Sequence, residues 1–256
     1  MQFVKVPLLE VSVTPATSSE VINWIRSTSG KRRLMNHNLH SVLLAHTNSD
    51  FSNSYQTADA VLIDGFPLRL MLQLGTKKAD NYAETRVGSC DWILEMEKCG
   101  PIGVRRIAVI GASPESNNAV VDRFSKTMPH VRVHGWNGYG ELSSLIINDF
   151  DELNEFAPDL VLLGLGMPKQ EIVLDFYYDR LPDAIYATVG GAIDQLSGFQ
   201  RMPPRKLGNL GLEWLFRLVR DPRRLAFRYL IEPIILAYFL LKRKGKNANE
   251  GKGTSI

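Results

Sequence analysis

The chain has 256 residues, 45% hydrophobic and 22% charged. That is ordinary globular composition, long enough for one large α/β domain or a domain plus an appendage. Two cysteines, Cys90 and Cys99, exclude a disulfide framework and read as free thiols in a reducing cytosol. The net charge of +3 hides an asymmetry: residues 201–256 carry 13 Lys+Arg against 4 Asp+Glu, whereas residues 1–200 carry 17 against 23. A basic tail on a neutral-to-acidic body seeks phosphates, on nucleic acid, lipid head groups or a nucleotide.

The opening MQFVKVPLLEVSV has no basic leader followed by an apolar core and cleavage site, so no signal peptide is expected. Five short apolar runs then predict strands: Arg33–Asn36, Ala60–Ile63, Ile107–Ile110, Leu160–Leu163 and Ile185–Val189. Most are unbroken rather than alternating, which fits strands buried on both faces of a parallel sheet. Amphipathic stretches such as Glu115–Met128 and Gln170–Arg180 lie between them. The alternation predicts a doubly wound α/β fold.

Polar or glycine residues follow each run: Asn36-His37-Asn38, Asp64-Gly65, Gly111-Ala112-Ser113, Gly164 to Glu171, and Gly190-Gly191. Ligands of open parallel sheets bind beyond the carboxyl ends of the strands. These five segments are therefore expected to line one crevice.

The character changes after Gly198. Phe199–Leu210 reads as a linker, and Leu212–Arg220 as a helix. Asp221-Pro222 is a helix restart, with a capping side chain before a first-turn proline. Arg224 and Arg228 share a face at a spacing of four. Glu232-Pro233 is a kink or a second restart. The apolar run Ile234–Leu241 is too short to span a bilayer, which needs about 20 residues. Beside Lys242-Arg243-Lys244 it suits a membrane surface with anionic lipid, or a packed helix with a solvated basic end. The predicted organisation is a catalytic domain over 1–198, a basic helical membrane-targeting appendage over 199–244 and a disordered tail over 245–256.

Several of these segments carry two readings. Asp64-Gly65 is either a tight turn or a carboxylate facing a ligand. Gly111-Ala112-Ser113 is a plain strand-to-helix turn or a weak phosphate cradle, since neither full glycine-rich fingerprint is present. In Gly164–Glu171, Gly166 permits close backbone approach, and Pro168 opens a helix carrying Lys169, Gln170 and Glu171 in its first turn. Glu171 alone answers a helix dipole; the whole octet asks for a site. Gly190 and Gly191 precede Asp194, a cap or a ligand contact. Arg86 and Asp91 form a surface ion pair or contact ligand. Arg217, Arg224 and Arg228 grip a diphosphate or form a solvated face. His37, His40, His46, His130 and His134 lack a convincing partner set, so no metal is expected.

Taken in order, these segments resemble the WecG/TagA/CpsF glycosyltransferases over about residues 5–232: Asn38, Ala58–Gly65, Arg86-Val87, Gly164–Glu171, Val189-Gly190-Gly191 with Asp194, Gly211–Leu218 and Asp221–Leu225. The resemblance implies a Rossmann-like parallel sheet with helices on both faces. It implies an inverting, metal-independent hexosyltransferase, with no cofactor, that moves a sugar from a UDP-sugar to a polyprenyl-diphosphate-linked saccharide. The family's proposed base matches Asp64, its polar sugar-side residues match Asn38 and Gln170, and its nucleotide-side arginine matches Arg86. Arg217, Arg224 and Arg228 match arginines that an appendage brings to the diphosphate while holding the enzyme on the inner face of the cytoplasmic membrane.

Three stretches depart from the family's usual pattern: Gly88-Ser89-Cys90 for Thr-Gly-Ser, Asn36-His37-Asn38 for Thr-Pro-Asn, and Phe66-Pro67 for smaller residues. The donor is then UDP-glucose or UDP-N-acetylmannosamine (or its uronate), with a leaning to exopolysaccharide assembly. The alternative is a non-catalytic nucleotide-binding regulator at the membrane surface. No nucleic-acid motif is present, and a homo-oligomer stays open.

Overall fold

The computed structural model describes residues 1–76, 82, 84–100, 103–203, 207 and 211–250. Among them a six-stranded, wholly parallel sheet runs in the order β4-β3-β8-β7-β5-β6. Its strands are β3 (Arg32–His37), β4 (Ala60–Ile63), β5 (Arg106–Gly111), β6 (Arg132–Trp136), β7 (Leu160–Gly164) and β8 (Ile185–Thr188). All five predicted runs are strands, with ends shifted by a residue or so. Two features escaped prediction. One is the small antiparallel hairpin of β1 (Val4–Val6) and β2 (Val11–Val13); the other is edge strand β6, whose Arg-Val-His-Gly-Trp has no apolar run.

Successive side chains of a strand point to opposite faces, and the core obeys this. Leu34, Ile107, Val109, Leu160, Leu162 and Ala187 face one cluster with Trp92 and Phe124, from helices α5 (Ser89–Cys99) and α6 (Pro114–Thr127). Met35, Ala108, Ile110, Val161, Leu163 and Tyr186 face the other, with Leu174 of α9 (Lys169–Tyr177). Helices on both faces explain why these strands read as unbroken apolar runs. A third cluster joins the hairpin to Leu68 and Leu72 of α4 (Phe66–Gly75) and Leu236 of the terminal helix.

Register sets the site. His37 pairs with Ile63, Gly111 with Gly164, and Leu163 with Thr188. The turns that follow these residues therefore emerge at one edge of the sheet. Buried asparagines tie that edge down. The Asn117 amide donates to the Val109, Gly111 and Trp136 carbonyls, and the Asn36 amide to the Thr188 carbonyl at 2.7 Å and Ser89 Oγ at 3.1 Å.

The C-terminal segment is helical: Glu213–Arg220, then Pro222–Ala226 capped by Asp221, a π-helical stretch Phe227–Ile231, and Glu232–Glu250. The predicted kink at Pro233 takes the form of this π turn. Proline has no N–H and crowds the carbonyl four residues back; here the Glu232 N–H reaches Phe227 instead, five residues back. The helical backbone runs through Glu250, past Gly245, where the predicted disordered tail begins. One glycine costs a helix only about 1 kcal/mol, and its neighbours propagate the turn. Residues 251–256 of that tail, and 204–206 and 208–210 of the predicted linker, lie outside the described residues. No helix among the described residues is long and apolar enough to cross a membrane.

Candidate active site

Two adjoining chambers open beyond the carboxyl ends of β3, β4, β7 and β8, roofed by the C-terminal helices. One, of about 330 Å³, is polar and lined by Ser89, Thr188, Gly190 and Gln195 from the sheet side and Arg224 from above. The other, of about 240 Å³, is lined by Leu39, Phe66, Pro67, Trp214 and Pro233. Asn38, Asp64, Arg86, Glu213, Arg217, Arg228 and Tyr229 line both, and so stand at the junction.

Asp64 reaches the junction because β4 ends at Ile63. The next segment then adds to the sheet edge: Arg86 bridges Ile63 in parallel, and the Val87 N–H donates to the Ile63 carbonyl at 2.9 Å. This brings Arg86 and Asp91 beside Asp64 from a distance in sequence. Asp64 is half-buried, and burial raises its pKa. Arg217 opposes that shift, Glu213 adds to it, and Arg86 and Asp91 act as Arg217 and Glu213 do, more weakly. The result is a carboxylate more basic than an exposed aspartate.

Glu213 organises the arginines. Its two oxygens accept from Arg86 Nη1 at 2.9 Å and from Arg217 Nη2 at 2.7 Å. Burial works against the Arg217 charge, but Glu213 and Asp64 overcome it and hold the guanidinium above its usual pKa. Arg228 is pulled the other way, chiefly by burial. Its guanidinium lies 3.5 Å from Asn38 Oδ1, which also caps α2 (Leu39–Thr47) by accepting from the Ser41 N–H at 3.1 Å. Arg224 is more exposed and pairs with Asp221. Four arginines, Arg86, Arg217, Arg224 and Arg228, thus share an open cleft with the carboxylates of Asp64, Asp91 and Glu213, an arrangement suited to holding a diphosphate and taking a proton nearby.

The other predicted residues divide. Gly166, Gly190 and Gly191 line the polar chamber, as does Asp91. Of the two readings of Arg86 and Asp91, the ion pair is not the one found: Arg86 pairs with Glu213, and Asp91 accepts from the Gly88 N–H at 2.9 Å and closes the start of α5. Gln170 and Glu171 are fully buried beneath the cleft rather than in its wall. Gln170 Oε1 accepts from the Gly190 N–H at 3.0 Å, and its Nε2 donates to Glu171 Oε1 at 2.8 Å. They brace the glycine loop from below, and burial raises the Glu171 pKa to about 7. Lys169 is exposed on the first turn of α9, Asp194 sits half-buried in α10 (Ala192–Leu196), and neither lines a chamber.

Gly111 lies outside the cleft walls as well. It has φ +117°, and a Cβ there would sit 2.5 Å from the Gly164 carbonyl oxygen. Ser113 caps α6, so this turn is the plain strand-to-helix reading. Of the histidines, His37 is buried and kept neutral by that burial, its pKa lowered to about 3. His40 Nδ1 meets Glu232 Oε2 at 2.7 Å and fastens α2 to the terminal helix.

Glu213, Trp214, Tyr229, Phe66 and Gln195 were missed as site residues. The Glu213–Arg217 spacing of four was a usable signal; the Arg86–Glu213 contact, 127 residues apart, was not.

The model of the family described as "Glycosyl transferase WecG/TagA/CpsF family" matches residues 4–250. The N-acetylglucosaminyldiphosphoundecaprenol N-acetyl-beta-D-mannosaminyltransferase of Bacillus subtilis is 27% identical over 176 residues, 68% of this chain and 66% of that protein. The protein of the same name from Bacillus spizizenii is 24% identical over 181 residues, 70% of this chain and 68% of that one. The matched stretches thus span about two thirds of the length of these relatives.

Proposed function

The chain belongs to the WecG/TagA/CpsF glycosyl transferase family, and from that premise we propose that it moves a sugar from a UDP-sugar to a saccharide carried on a polyprenyl diphosphate, with inversion. The observation that carries this reading is Asp64 at the junction of the two chambers, facing Arg86, Arg217 and Arg228. The acceptor hydroxyl oxygen attacks the anomeric carbon from the face opposite the nucleotide. Its proton passes to the Asp64 carboxylate as the bond to the diphosphate oxygen breaks. The leaving UDP gains negative charge, which Arg217, Arg224 and Arg228 offset. Arginines in these positions supply the stabilisation a divalent cation supplies elsewhere, so turnover is expected to survive EDTA.

The relatives' names favour N-acetylmannosamine as the sugar moved and N-acetylglucosamine on the acceptor; glucose is the second candidate. The product enters a cell-envelope glycan or an exopolysaccharide. A lipid-borne acceptor also accounts for the exposed apolar and basic residues of the C-terminal helices, which suit a peripheral position on the inner face of the cytoplasmic membrane.

The test is a panel of UDP-sugars with a sugar–diphosphate–prenyl acceptor, product being read by mass. One donor should yield a single new glycosidic product. Asp64→Asn should lower kcat by about 10²–10⁴-fold while UDP binding holds. Binding of UDP-sugar with no product from any donor would return the protein to a regulatory role.

A further inference from the structure

Helix α4 is apolar on two sides. Leu68 and Leu72 are buried in the third cluster, as an amphipathic helix requires. Yet Leu70 and Leu74 are 42% and 71% exposed, and with Phe66 they follow at intervals of four along the outer face. Single exposed leucines need no explanation; an apolar row that begins inside a cavity does. Phe66 lines the apolar chamber at Asp64.

A second part of the lining repeats the pattern. Pro233 lines the chamber, and the helix leading away from it exposes Ile234, Tyr238 and Leu241 along one side. Both helices rest on the same third cluster through their inner faces, and both rows begin at the chamber. The chamber itself holds Trp214, whose ring stands edge-on to Tyr229 at 6.2 Å between centroids. Arg69 stands over the Phe66 ring at 5.1 Å and adds a cation on α4.

We infer that the apolar chamber and the Phe66–Leu70–Leu74 row of α4 seat the acceptor lipid, its sugar against Trp214 beside Asp64 and its first prenyl units along α4. This rests on the transferase reading above and deepens it. The two chambers then divide the substrates: the polar one takes the sugar nucleotide, the apolar one the lipid-borne sugar. Asp64 belongs to both because the reacting hydroxyl and the anomeric carbon meet there. The occupant is a prenyl chain rather than a protein helix, because the row is continuous with the reacting cavity and the acceptor class itself carries a long apolar tail.

Two measurements test it. Farnesyl diphosphate added to the full chain should shift tryptophan emission to the blue, saturably, and the shift should vanish in Trp214→Phe; inorganic diphosphate should not produce it. In transfer assays, Leu70→Ser/Leu74→Ser should reduce the kcat/KM preference for a long-chain over a short-chain acceptor by about tenfold or more, the weight of one buried leucine. An unchanged preference, no farnesyl-dependent shift, or an equal shift with inorganic diphosphate overturns the lipid seat and leaves the transferase reading standing. A farnesyl-dependent shift without product from any donor sinks the transferase reading and keeps the prenyl site.

Discussion

Arg86, from the segment that extends the sheet beside β4, donates to Glu213 of the C-terminal helices at 2.9 Å. The same carboxylate holds Arg217 at 2.7 Å, so one acid fixes two cations that come from opposite sides of the cleft. These pairs are only partly exposed, and removing one member leaves its partners unpaired in a poorly solvated place. Glu213→Ala should therefore lower kcat/KM for the donor by about 10–100-fold, roughly 1.4–3 kcal/mol. Glu213→Gln keeps one accepting oxygen but turns an amide N–H2 toward the other guanidinium, so it should lose less than the alanine variant yet stay below the parent. Steady-state kinetics on the two variants check this; equal losses would assign the effect to charge rather than position.

The acid limb of the rate profile is expected to report Asp64. A base must be ionised, so kcat/KM should fall as pH drops through the Asp64 pKa, which burial holds above the ordinary value of 3.8. Glu213→Gln removes a negative neighbour and should move the limb to lower pH. Arg217→Gln removes a positive one and should move it higher. Profiles of kcat/KM against pH decide it, and a limb that ignores both changes would take the base role from Asp64.

Glu171 gives a stability prediction of definite sign. Burial raises its folded pKa from 4.5 to about 7. The proton it keeps stabilises the fold fully below pH 4.5, and that contribution is lost as pH rises to about 7. The loss is about 3 kcal/mol at most, from 1.36 kcal/mol per pKa unit. Glu171→Gln removes the titration, so its Tm should vary less between pH 5 and 8 than that of the parent chain. Thermal melts across that range test this, and parallel curves would refute it.

Gly111 predicts a purely structural loss. A side chain there meets both a positive φ of +117° and the Gly164 carbonyl. Gly111→Ala should destabilise by about 2–4 kcal/mol, read as a shift in the denaturation midpoint. Since Gly111 lies outside the cleft walls, donor KM in the remaining folded enzyme should change little.

Local chemistry made much of this protein legible. Unbroken apolar runs such as Leu160–Leu163 require burial on both faces, which only a covered parallel sheet provides, and the residues after such runs must emerge at one edge. Asn38 and Asp64 were accessible by that route, and Arg86 and Arg217 from the family resemblance. The Asp221 cap and first-turn Pro222 were readable as well, because a helix start is decided within four residues.

Folding decided the rest. Nothing in Lys169-Gln170-Glu171 distinguishes a side chain that lines a cleft from one that braces it from beneath; the packing of α9 against β8 buries Gln170 and Glu171. Strand β6 and Glu213 were hidden for a related reason. Each depends on partners distant in sequence, β5 for the strand and Arg86 for the acid. Sequence by itself determined the five apolar strands and the end of the sheet at which chemistry gathers, since propensity, periodicity and capping are local. The division of the cleft into a polar and an apolar chamber, with Asp64 shared between them, came only from tertiary structure, because it depends on where the C-terminal helices close over the sheet.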